Sequence, residues 1–162
     1  MNSATVVAIA LGSNLGDRRT HLEFAIEHIG LLLDAPRFSS FHETLPEGGT
    51  ADQPLYLNAA AVGGCRLAPL DVLDELLRIE AARGRVRPFP NAPRTLDLDL
   101  ILFGQERLDH PRLTIPHPRF RERRFVLEPL REIAPELIDP VSGLSVSALL
   151  QRLNRSGAGA RG

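Results

Sequence analysis

The sequence of 162 residues contains no lysine and no tryptophan, and it has only one cysteine and one tyrosine. With a single cysteine, Cys65, neither an intrachain disulfide nor a cysteine-based zinc site can form. The absence of lysine excludes the P-loop and protein-kinase classes, whose motifs need a lysine on the nucleotide phosphates. Charge or glycine interrupts every apolar run before it reaches the length of a membrane span. Any phosphate chemistry must therefore depend on other residues.

The basic residues are all arginines, and they are unevenly distributed. Residues 1–82 contain five arginines and eleven acidic residues, whereas residues 83–124 contain ten arginines and five acidic residues. Arginine presents a planar fork that binds phosphate oxygens in pairs, so this excess favours a polyanionic ligand. The alternative is a solvated basic face in a lysine-poor protein.

Composition favours one ordinary globular domain, because 43% of the residues are hydrophobic and 24% are charged. We expect a single domain over residues 1–162, with a flexible tail from about residue 154. The first residues carry no basic leader and run directly into an apolar segment, so a secretory signal is not expected. A cytoplasmic location is the expectation that follows.

Hydrophobic periodicity predicts four strands and four helices. The strands are expected at 6–11, 37–44, 56–64 and 95–103. The helices are expected from a cap at Asp17 or Thr20 to residue 33, from Pro69 to just before Gly84, and at 124–133 and 145–153. Residues 105–108 are expected to turn back beside the last strand, residues 111–124 to be irregular, and residues 46–54 and 85–94 to form loops. This order predicts an α+β fold of ferredoxin-like type: an antiparallel sheet with helices on one face, additional C-terminal elements, and a second face left for a ligand.

The strongest chemical signal is the run Arg94-Thr95-Leu96-Asp97-Leu98-Asp99-Leu100. On a strand, alternate side chains share a face, so Asp97 and Asp99 point the same way with Cα atoms about 7 Å apart. By strict alternation, Ile101 and Phe103 share that face and Leu102 points to the helices. Two adjacent carboxylates on a rigid strand suit Mg²⁺, which takes a few carboxylates, waters and substrate phosphates. The alternative is an exposed polar strand end.

Arginines flank the acidic strand on both sides. Arg85, Arg87 and Arg94 precede it in a proline-rich loop, and four more arginines with a histidine follow it, namely Arg112, His117, Arg121, Arg123 and Arg124. In phosphoryl transfer a protein mainly positions groups and neutralises charge that develops on phosphate oxygens. Mg²⁺ and arginine together are sufficient for that task.

Six motifs in order make the sequence similar to the 6-hydroxymethyl-7,8-dihydropterin pyrophosphokinase family. They extend from about residue 6 to about residue 140. They are Gly12-Ser13-Asn14-Leu15-Gly16, Asp52-Gln53-Pro54-Leu55-Tyr56-Leu57-Asn58-Ala59, Arg78-Ile79-Glu80 with Gly84-Arg85, Pro93-Arg94-Thr95-Leu96-Asp97-Leu98-Asp99, Arg112-Leu113-Thr114-Ile115-Pro116-His117 and Glu132-Ile133-Ala134-Pro135-Glu136-Leu137. The resemblance implies an Mg²⁺-dependent transferase that moves diphosphate from ATP to the pterin in folate biosynthesis and releases AMP.

The resemblance also implies roles for individual residues. Asp97 and Asp99 would bind two Mg²⁺ ions, and Arg85 and Arg94 would act on the transferred group. The implied ATP contacts are Glu80, Arg87, Arg112, Thr114, His117 and Arg123. The implied pterin contacts are Thr44, Leu45, Tyr56, Asn58 and Phe125. Aromatic faces and an amide suit a flat heteroaromatic ring, although Tyr56 and Phe125 are equally typical of an ordinary core.

One departure from the family pattern falls in the proline-rich loop. The family often has Arg-Trp-Gly just before the Pro-Arg-Thr run, with the tryptophan over the nucleotide site. This chain has Pro90-Asn91-Ala92 there, so Phe89 is the one aromatic residue in the loop that could cover the site. A stiff connector with Phe89 in the core is the alternative.

Two other classes of function suit the same fold. A nucleotidyl transferase of the polymerase-palm kind also carries two aspartates on such a sheet, but it releases diphosphate instead of AMP. A small RNA-binding domain would place aromatic and basic residues on its central strands, where Asp97 and Asp99 would repel a phosphate backbone. We therefore expect small-molecule substrates and a monomer, with no nucleic-acid or membrane partner.

Overall fold

A five-stranded antiparallel sheet with helices on both faces forms the body of the protein in a computed structural model, which describes residues 3–45, 55–84 and 95–156. The strands are β1 (Thr5–Ser13), β2 (Asp34–Phe38), β3 (His42–Thr44), β4 (Tyr56–Cys65), β5 (Asp97–Phe103), β6 (Leu108–His110) and β7 (Leu113–Ile115). The helices are α1 (Arg18–Leu32), α2 (Pro69–Ala82), α3 (Arg124–Ile133) and α4 (Val146–Arg155), with a 3-10 turn at Phe120–Glu122.

The strand order in the large sheet is β2-β4-β1-β5, and β3 also pairs with β4. Every pairing is antiparallel. Strands β6 and β7 form a separate hairpin. The predicted α+β class and the antiparallel sheet are confirmed. The structure divides the predicted strand 37–44 into β2 and β3, which both pair with the long β4.

Helices α1 and α2 cover the first face of the sheet. Asp17 caps α1, because its side chain accepts a hydrogen bond from the Thr20 N–H at 3.2 Å. Pro69 stands in the first turn of α2, and Gly84 follows its end with a φ of +73°. The strand residues of this core occupy alternate positions and include Val7, Ile9, Leu11, Leu98 and Leu100. The helices contribute Leu22, Ala25, Ile29, Leu76 and Ile79.

Helices α3 and α4 cover part of the second face. A separate buried cluster lies there, built from Ala8, Ala10, Ala60 and Val62 of the sheet and from Val126, Leu127, Leu130, Val146, Leu149 and Leu150 of the two helices. These strand positions alternate with those of the first core, which shows that they point the opposite way. The additional C-terminal elements therefore occupy one end of the second face and leave its other end to polar residues.

A β-bulge changes which residues of β5 face each core. Strict alternation predicts that Leu102 joins the first core and that Phe103 shares the face of the two aspartates. The pairing of β1 with β5 shifts between Ala8 and Ile9, so one extra residue is accommodated in β5. Phe103 lies in the first core, and Ile101 and Leu102 lie in the second. The prediction was correct up to Ile101 and wrong for Leu102 and Phe103, which follow the bulge.

Three further predictions differ from the structure. Residues 105–108 were expected to turn back beside the preceding strand, but the turn leads into β6, which pairs with β7. Residues 111–124 were expected to be irregular, yet they contain β7 and the 3-10 turn. Helix α4 continues to Arg155, so it includes two residues that were assigned to the tail. The predicted loops at 46–54 and 85–94 lie outside the described residues.

Candidate active site

The register of three strands brings polar residues together at one end of the second face. Gly12 of β1 pairs with Asn58 of β4 on one side and with Asp97 of β5 on the other. Two residues earlier on β1, Ala10 pairs with Ala60 of β4 and with Asp99 of β5. Cα atoms of directly opposite residues are about 5 Å apart, so Asn58 and Asp97 are separated by about 10 Å. We call this region, Tyr56, Asn58, Gly12, Asp97 and Asp99, the polar end of the second face.

Asp97 and Asp99 are both half-buried, and the residues that alternate with them, Leu98 and Leu100, are buried in the first core. The leucines anchor the strand, and the carboxylates consequently project from the second face. The bulge lies beyond Leu100, so it does not disturb this pair. The predicted placement of the two carboxylates on one face is what the structure shows.

Gly12 gives the aromatic and amide side chains of β4 their space. A Cβ atom at this position would lie 3.2 Å from Asn58 Oδ1 and 3.5 Å from Cδ1 of the Tyr56 ring. The contact with the amide is tighter than ordinary packing permits, so a larger residue would push the amide and the ring away. The glycine of the Gly-Ser-Asn motif thus keeps the sheet surface open between Asn58 and Asp97.

Asn58 and Thr44 form a polar pair beside the Tyr56 ring. The amide Nδ2 of Asn58 donates to Thr44 Oγ1 at 2.5 Å. Thr44 pairs with Tyr56 in the register of β3 and β4. Asn58 is only 4% exposed, whereas Leu45, directly after β3, is 68% exposed. Four of the predicted pterin contacts are therefore close neighbours along two paired strands.

Glu80, predicted to help hold ATP, is 2% exposed at the end of α2. Its Oε2 accepts a hydrogen bond from the backbone N–H of Leu98 at 2.6 Å. Leu98 stands between Asp97 and Asp99, on the strand at the edge of the sheet. The buried carboxylate therefore supplies a partner for an edge N–H that the sheet ladder does not bond, and it fixes the strand that carries both aspartates.

The hairpin β6–β7 and the segment after it carry three more of the predicted ATP contacts. Arg112 donates through Nη2 to Asp74 of α2 at 2.6 Å, and Thr114 is exposed on β7. The His117 N–H donates to the Ile101 carbonyl at 3.0 Å, which places His117 beside β5. His117 Nδ1 accepts from the Arg119 N–H at 3.2 Å, so in the neutral imidazole the hydrogen is on Nε2. This makes His117 a donor through Nε2.

Arg123 and Phe125 lie at the start of α3. The Arg123 guanidinium is 5.5 Å from the centroid of the Phe125 ring. Phe125 is half-buried against the second core, which contains Ala10 and Ala60. Because those alanines pair with or neighbour Asp99, the start of α3 adjoins the polar end of the second face. The arginines predicted to act on the phosphates, Arg85, Arg87 and Arg94, fall outside the described residues, as do Phe89 and Asn91.

Within the described ranges, no group of three or more histidine, cysteine, aspartate or glutamate side chains is arranged to hold a metal ion. Asp97 and Asp99 form a pair rather than such a group. A pair of carboxylates fits Mg²⁺, which keeps several waters and takes substrate phosphates as its remaining ligands. In the same part of the chain, no helix is both long and apolar enough to span a bilayer.

The sequence analysis assigned no site role to Gly12, Ser40, His42 or Glu132, although Gly12 and Glu132 lie in two of the family motifs. Glu132 accepts hydrogen bonds from Ser40 and His42 on the connection that leads into β3. The glycine lies within a motif that signals only a turn. Ser40 and Glu132 are 92 positions apart, so no local spacing connects them. Tertiary packing alone reveals these contacts.

The sequence model of the family described as "7,8-dihydro-6-hydroxymethylpterin-pyrophosphokinase (HPPK)" matches residues 8–135. The match includes all five residues of the polar end. Similar curated proteins carry the name 2-amino-4-hydroxy-6-hydroxymethyldihydropteridine pyrophosphokinase. The Pseudomonas aeruginosa protein is 44% identical over 133 residues, which is 81% of this chain and 82% of that one. The Haemophilus influenzae protein is 44% identical over 145 residues, 88% and 90% of the two chains.

A third relative of the same name, from Synechocystis, is 40% identical over 148 residues, covering 90% of this chain and 75% of that one. Among solved structures, the Plasmodium falciparum HPPK-DHPS with pteroate superposes with a TM-score of 0.74 at 16% identity. The alignment covers 94% of this chain and 43% of that one. This chain thus spans less than half the length of that solved protein, and the likeness concerns the fold alone.

Proposed function

Because the chain belongs to the 7,8-dihydro-6-hydroxymethylpterin-pyrophosphokinase family, we propose that the polar end of the second face is its active site. The enzyme transfers diphosphate from ATP to 6-hydroxymethyl-7,8-dihydropterin in folate biosynthesis. The observation that supports the location is the register: two carboxylates on β5 face the same side as the amide and the aromatic ring of β4, with only Gly12 between them.

The pterin site consists, in this proposal, of Thr44, Leu45, Tyr56, Asn58 and Phe125. The exposed side chain of Leu45 and the rings of Tyr56 and Phe125 offer apolar surface to a flat heteroaromatic ring. Asn58 offers both a donor and an acceptor to the ring edge, and its bond to Thr44 fixes the orientation of its amide. Asn58 would therefore determine which edge of the pterin ring forms hydrogen bonds with the protein.

The ATP phosphates lie, in this proposal, between the pterin and β5. Asp97 and Asp99 would hold two Mg²⁺ ions, which when bound neutralise charge on the phosphate oxygens. The remaining phosphate contacts would come from Arg85, Arg87, Arg94, Arg112, Thr114, His117 and Arg123. Asn58 and Asp97 are about 10 Å apart across two strand spacings, which leaves room for phosphates between the pterin and β5.

The reaction forms one bond and breaks another. The hydroxyl oxygen of the pterin forms a bond to the β-phosphorus of ATP. The bond from that phosphorus to the oxygen bridging the α- and β-phosphates breaks, AMP leaves, and the hydroxyl proton passes to solvent. The residues of the chain hold the two substrates in line, which lowers the entropic part of the barrier. His117 Nε2 and the arginines donate hydrogen bonds to phosphate oxygens as charge develops there.

Incubation of the protein with ATP, Mg²⁺ and the reduced hydroxymethyl-pterin is expected to yield AMP and the pterin diphosphate. Chromatography of the nucleotides measures the products. AMP is expected to appear only when the pterin and Mg²⁺ are both present, since each supplies one part of the proposed site. ADP as the product, diphosphate release, or turnover without pterin would contradict the proposal.

The buried carboxylate of Glu80 gives a further prediction. We propose that it acts on ATP through β5, because its Oε2 binds the Leu98 N–H between the two aspartates. Glu80→Gln retains an oxygen acceptor and is expected to keep the KM for ATP within about threefold. Glu80→Ala leaves a buried N–H without a partner and is expected to lower the free energy of unfolding by about 2 kcal/mol and reduce turnover.

Steady-state kinetics and chemical denaturation of both variants make the measurement. Glu75→Ala is a matched control on the same helix, where Glu75 forms an exposed pair with Arg78. Glu75→Ala is expected to leave the KM for ATP and the free energy of unfolding nearly unchanged. A large loss of ATP affinity in Glu80→Gln with unchanged stability would instead indicate a direct contact between the Glu80 charge and the nucleotide.

A further inference from the structure

One carboxylate, that of Glu132, holds the connection between β2 and β3 against the end of α3. Its Oε2 accepts the Ser40 N–H at 2.8 Å, and its Oε1 accepts the Ser40 hydroxyl at 2.8 Å. The Nε2 of His42 lies 2.9 Å from the same Oε1. These donors hold the pKa of Glu132 below its usual range, with the Ser40 N–H as the largest cause and the His42 bond next.

The same connection is fixed on its other side. Ser39 is 6% exposed and exchanges two hydrogen bonds with Ala60 of β4: the Ser39 N–H donates to the Ala60 carbonyl, and Ser39 Oγ accepts the Ala60 N–H. Arg37 of β2 donates to the carbonyl of Ile133, the last residue of α3, at 2.6 Å. Helix ends leave such carbonyls without intrahelical partners. Residues 37–42 thus connect the central sheet to the end of α3.

The fixed connection leads directly into the proposed pterin site. His42 pairs with Asn58, and Thr44, two residues further along β3, accepts the bond from the Asn58 amide. Strand β3 has only three residues and pairs with β4 alone among the described strands. So short a ladder contributes few backbone bonds, and the position of β3 depends strongly on what holds its first residue.

We propose that Glu132 is a positioning residue for the pterin substrate. By binding Ser40 and His42 it fixes β3, and thereby sets the place of Thr44 and the orientation of the Asn58 amide that meets the ring edge. The inference rests on the proposed function, since it takes Thr44 and Asn58 as pterin contacts. Displacement of a substrate-binding group by a fraction of an ångström is enough to weaken binding.

The position of Glu132 makes the effect specific to one substrate. Its partners Ser40 and His42 lie on the β2–β3 connection and at the first residue of β3, whereas the proposed metal ligands lie on β5, beyond β4 and β1 in the sheet. Loss of the carboxylate is therefore expected to alter the pterin side of the site and to leave the ATP side in place.

The test compares Michaelis constants for the two substrates in the full chain. Glu132→Ala is expected to raise the KM for 6-hydroxymethyl-7,8-dihydropterin about tenfold and to leave the KM for ATP within about twofold. Glu132→Gln is expected to give an intermediate KM for the pterin, because its amide oxygen can still accept while its NH₂ cannot accept the Ser40 N–H. A merely structural role would not separate the two KM values in this way.

The matched control is Glu136→Ala, three residues beyond α3, where the carboxylate is 66% exposed and 4.0 Å from Arg37. It removes a nearby negative charge without removing any hydrogen bond to Ser40 or His42, and it is expected to keep both KM values. Where Glu132→Ala does not fold, Ser40→Ala removes the hydroxyl contacts with Glu132 at 2.8 Å and with His42 Nε2 at 3.5 Å but keeps the N–H bond. It is expected to raise the KM for the pterin about threefold.

Unchanged KM for the pterin in Glu132→Ala, or in Ser40→Ala where the first variant does not fold, overturns the inference. Equal rises in both KM values also overturn it, since they indicate general disorder of the site. Failure of the proposed function is a different result: the wild-type protein then makes no AMP, and the inference falls with it. Wild-type AMP formation together with an unaffected Glu132→Ala variant refutes the positioning role alone.

Discussion

Asp97→Ala and Asp99→Ala are each expected to reduce AMP formation by a factor on the order of a thousand or more, with the fold intact. Both carboxylates project from the second face at the polar end, and both are proposed to hold Mg²⁺. Metal stabilisation of charge on phosphate oxygens is worth several kcal/mol, and each 1.4 kcal/mol is about tenfold in rate. The side chains are half-buried, so their removal is expected to cost about 1 kcal/mol of stability or less.

The measurement combines turnover with a thermal melt in the absence and presence of Mg²⁺ and ATP. Ligand that binds only the folded protein raises its melting temperature. The wild type is expected to show this rise, and each aspartate variant is expected to lose most of it. Asp109→Ala is the matched control, because Asp109 is an exposed aspartate on β6. Full activity in both Asp97→Ala and Asp99→Ala would show that this strand end is only solvated.

The largest expected loss of stability follows from removal of one buried charge, that of Asp139. The side chain is 0% exposed, and the Arg121 guanidinium donates to both of its oxygens at 2.5 and 2.9 Å. The hydroxyl of Ser142 and the N–H groups of Val141 and Ser142 also donate to it. Asp139→Ala is expected to lower the free energy of unfolding by about 4 kcal/mol, because it leaves a partly buried guanidinium and two N–H groups without their acceptor.

Chemical denaturation at neutral pH measures this loss. Asp34→Ala is a matched control, since Asp34 forms an exposed ion pair with Arg66 at 3.1 Å, and its side chain is 58% exposed. Exposed pairs contribute about 1 kcal/mol or less. Similar losses in the two variants would contradict the view that burial and the number of donors make the Asp139 carboxylate important.

Acid is expected to weaken the same contact. Burial acts to raise the pKa of Asp139, but the Arg121, Ser142 and Val141 hydrogen bonds and the guanidinium charge outweigh it and hold the pKa well below the ordinary 3.8. A carboxyl whose folded pKa is depressed stabilises the protein fully above its unfolded pKa. That contribution falls as the pH drops below about 3.8, since protons then bind the unfolded chain preferentially. Acidification below that pH should therefore lower the free energy of unfolding less in Asp139→Ala than in the wild type.

Local signals predicted most of the secondary structure correctly. The predicted bounds of the third helix, 124–133, are those of α3, because Pro135 follows an amphipathic segment. The second helix begins at Pro69 as predicted. The β-bulge and the hairpin β6–β7 were missed for a common reason. Both depend on which strand pairs with which residue, and a period-two pattern in one segment contains no information about its partner.

The site could be predicted only in part from the chain. Asp97 and Asp99 are two residues apart on one strand, so alternation alone placed them on the same face. The family resemblance suggested Thr44, Tyr56 and Asn58, but the sequence did not show that Gly12 separates them from the aspartates. Nor did it show that Glu80 faces a backbone N–H, because burial of a carboxylate is decided by the packing of α2 on β5.

Tyr56 is the one tyrosine of a chain that has no tryptophan, and its ring lies against Gly12 at the polar end of the second face. The tyrosine emission of the protein consequently comes from this single ring. Any ligand that stacks on it should quench that emission without a background from the rest of the molecule. The chain thus carries a built-in optical reporter at the proposed pterin site, and titrations there need neither a label nor an engineered chromophore.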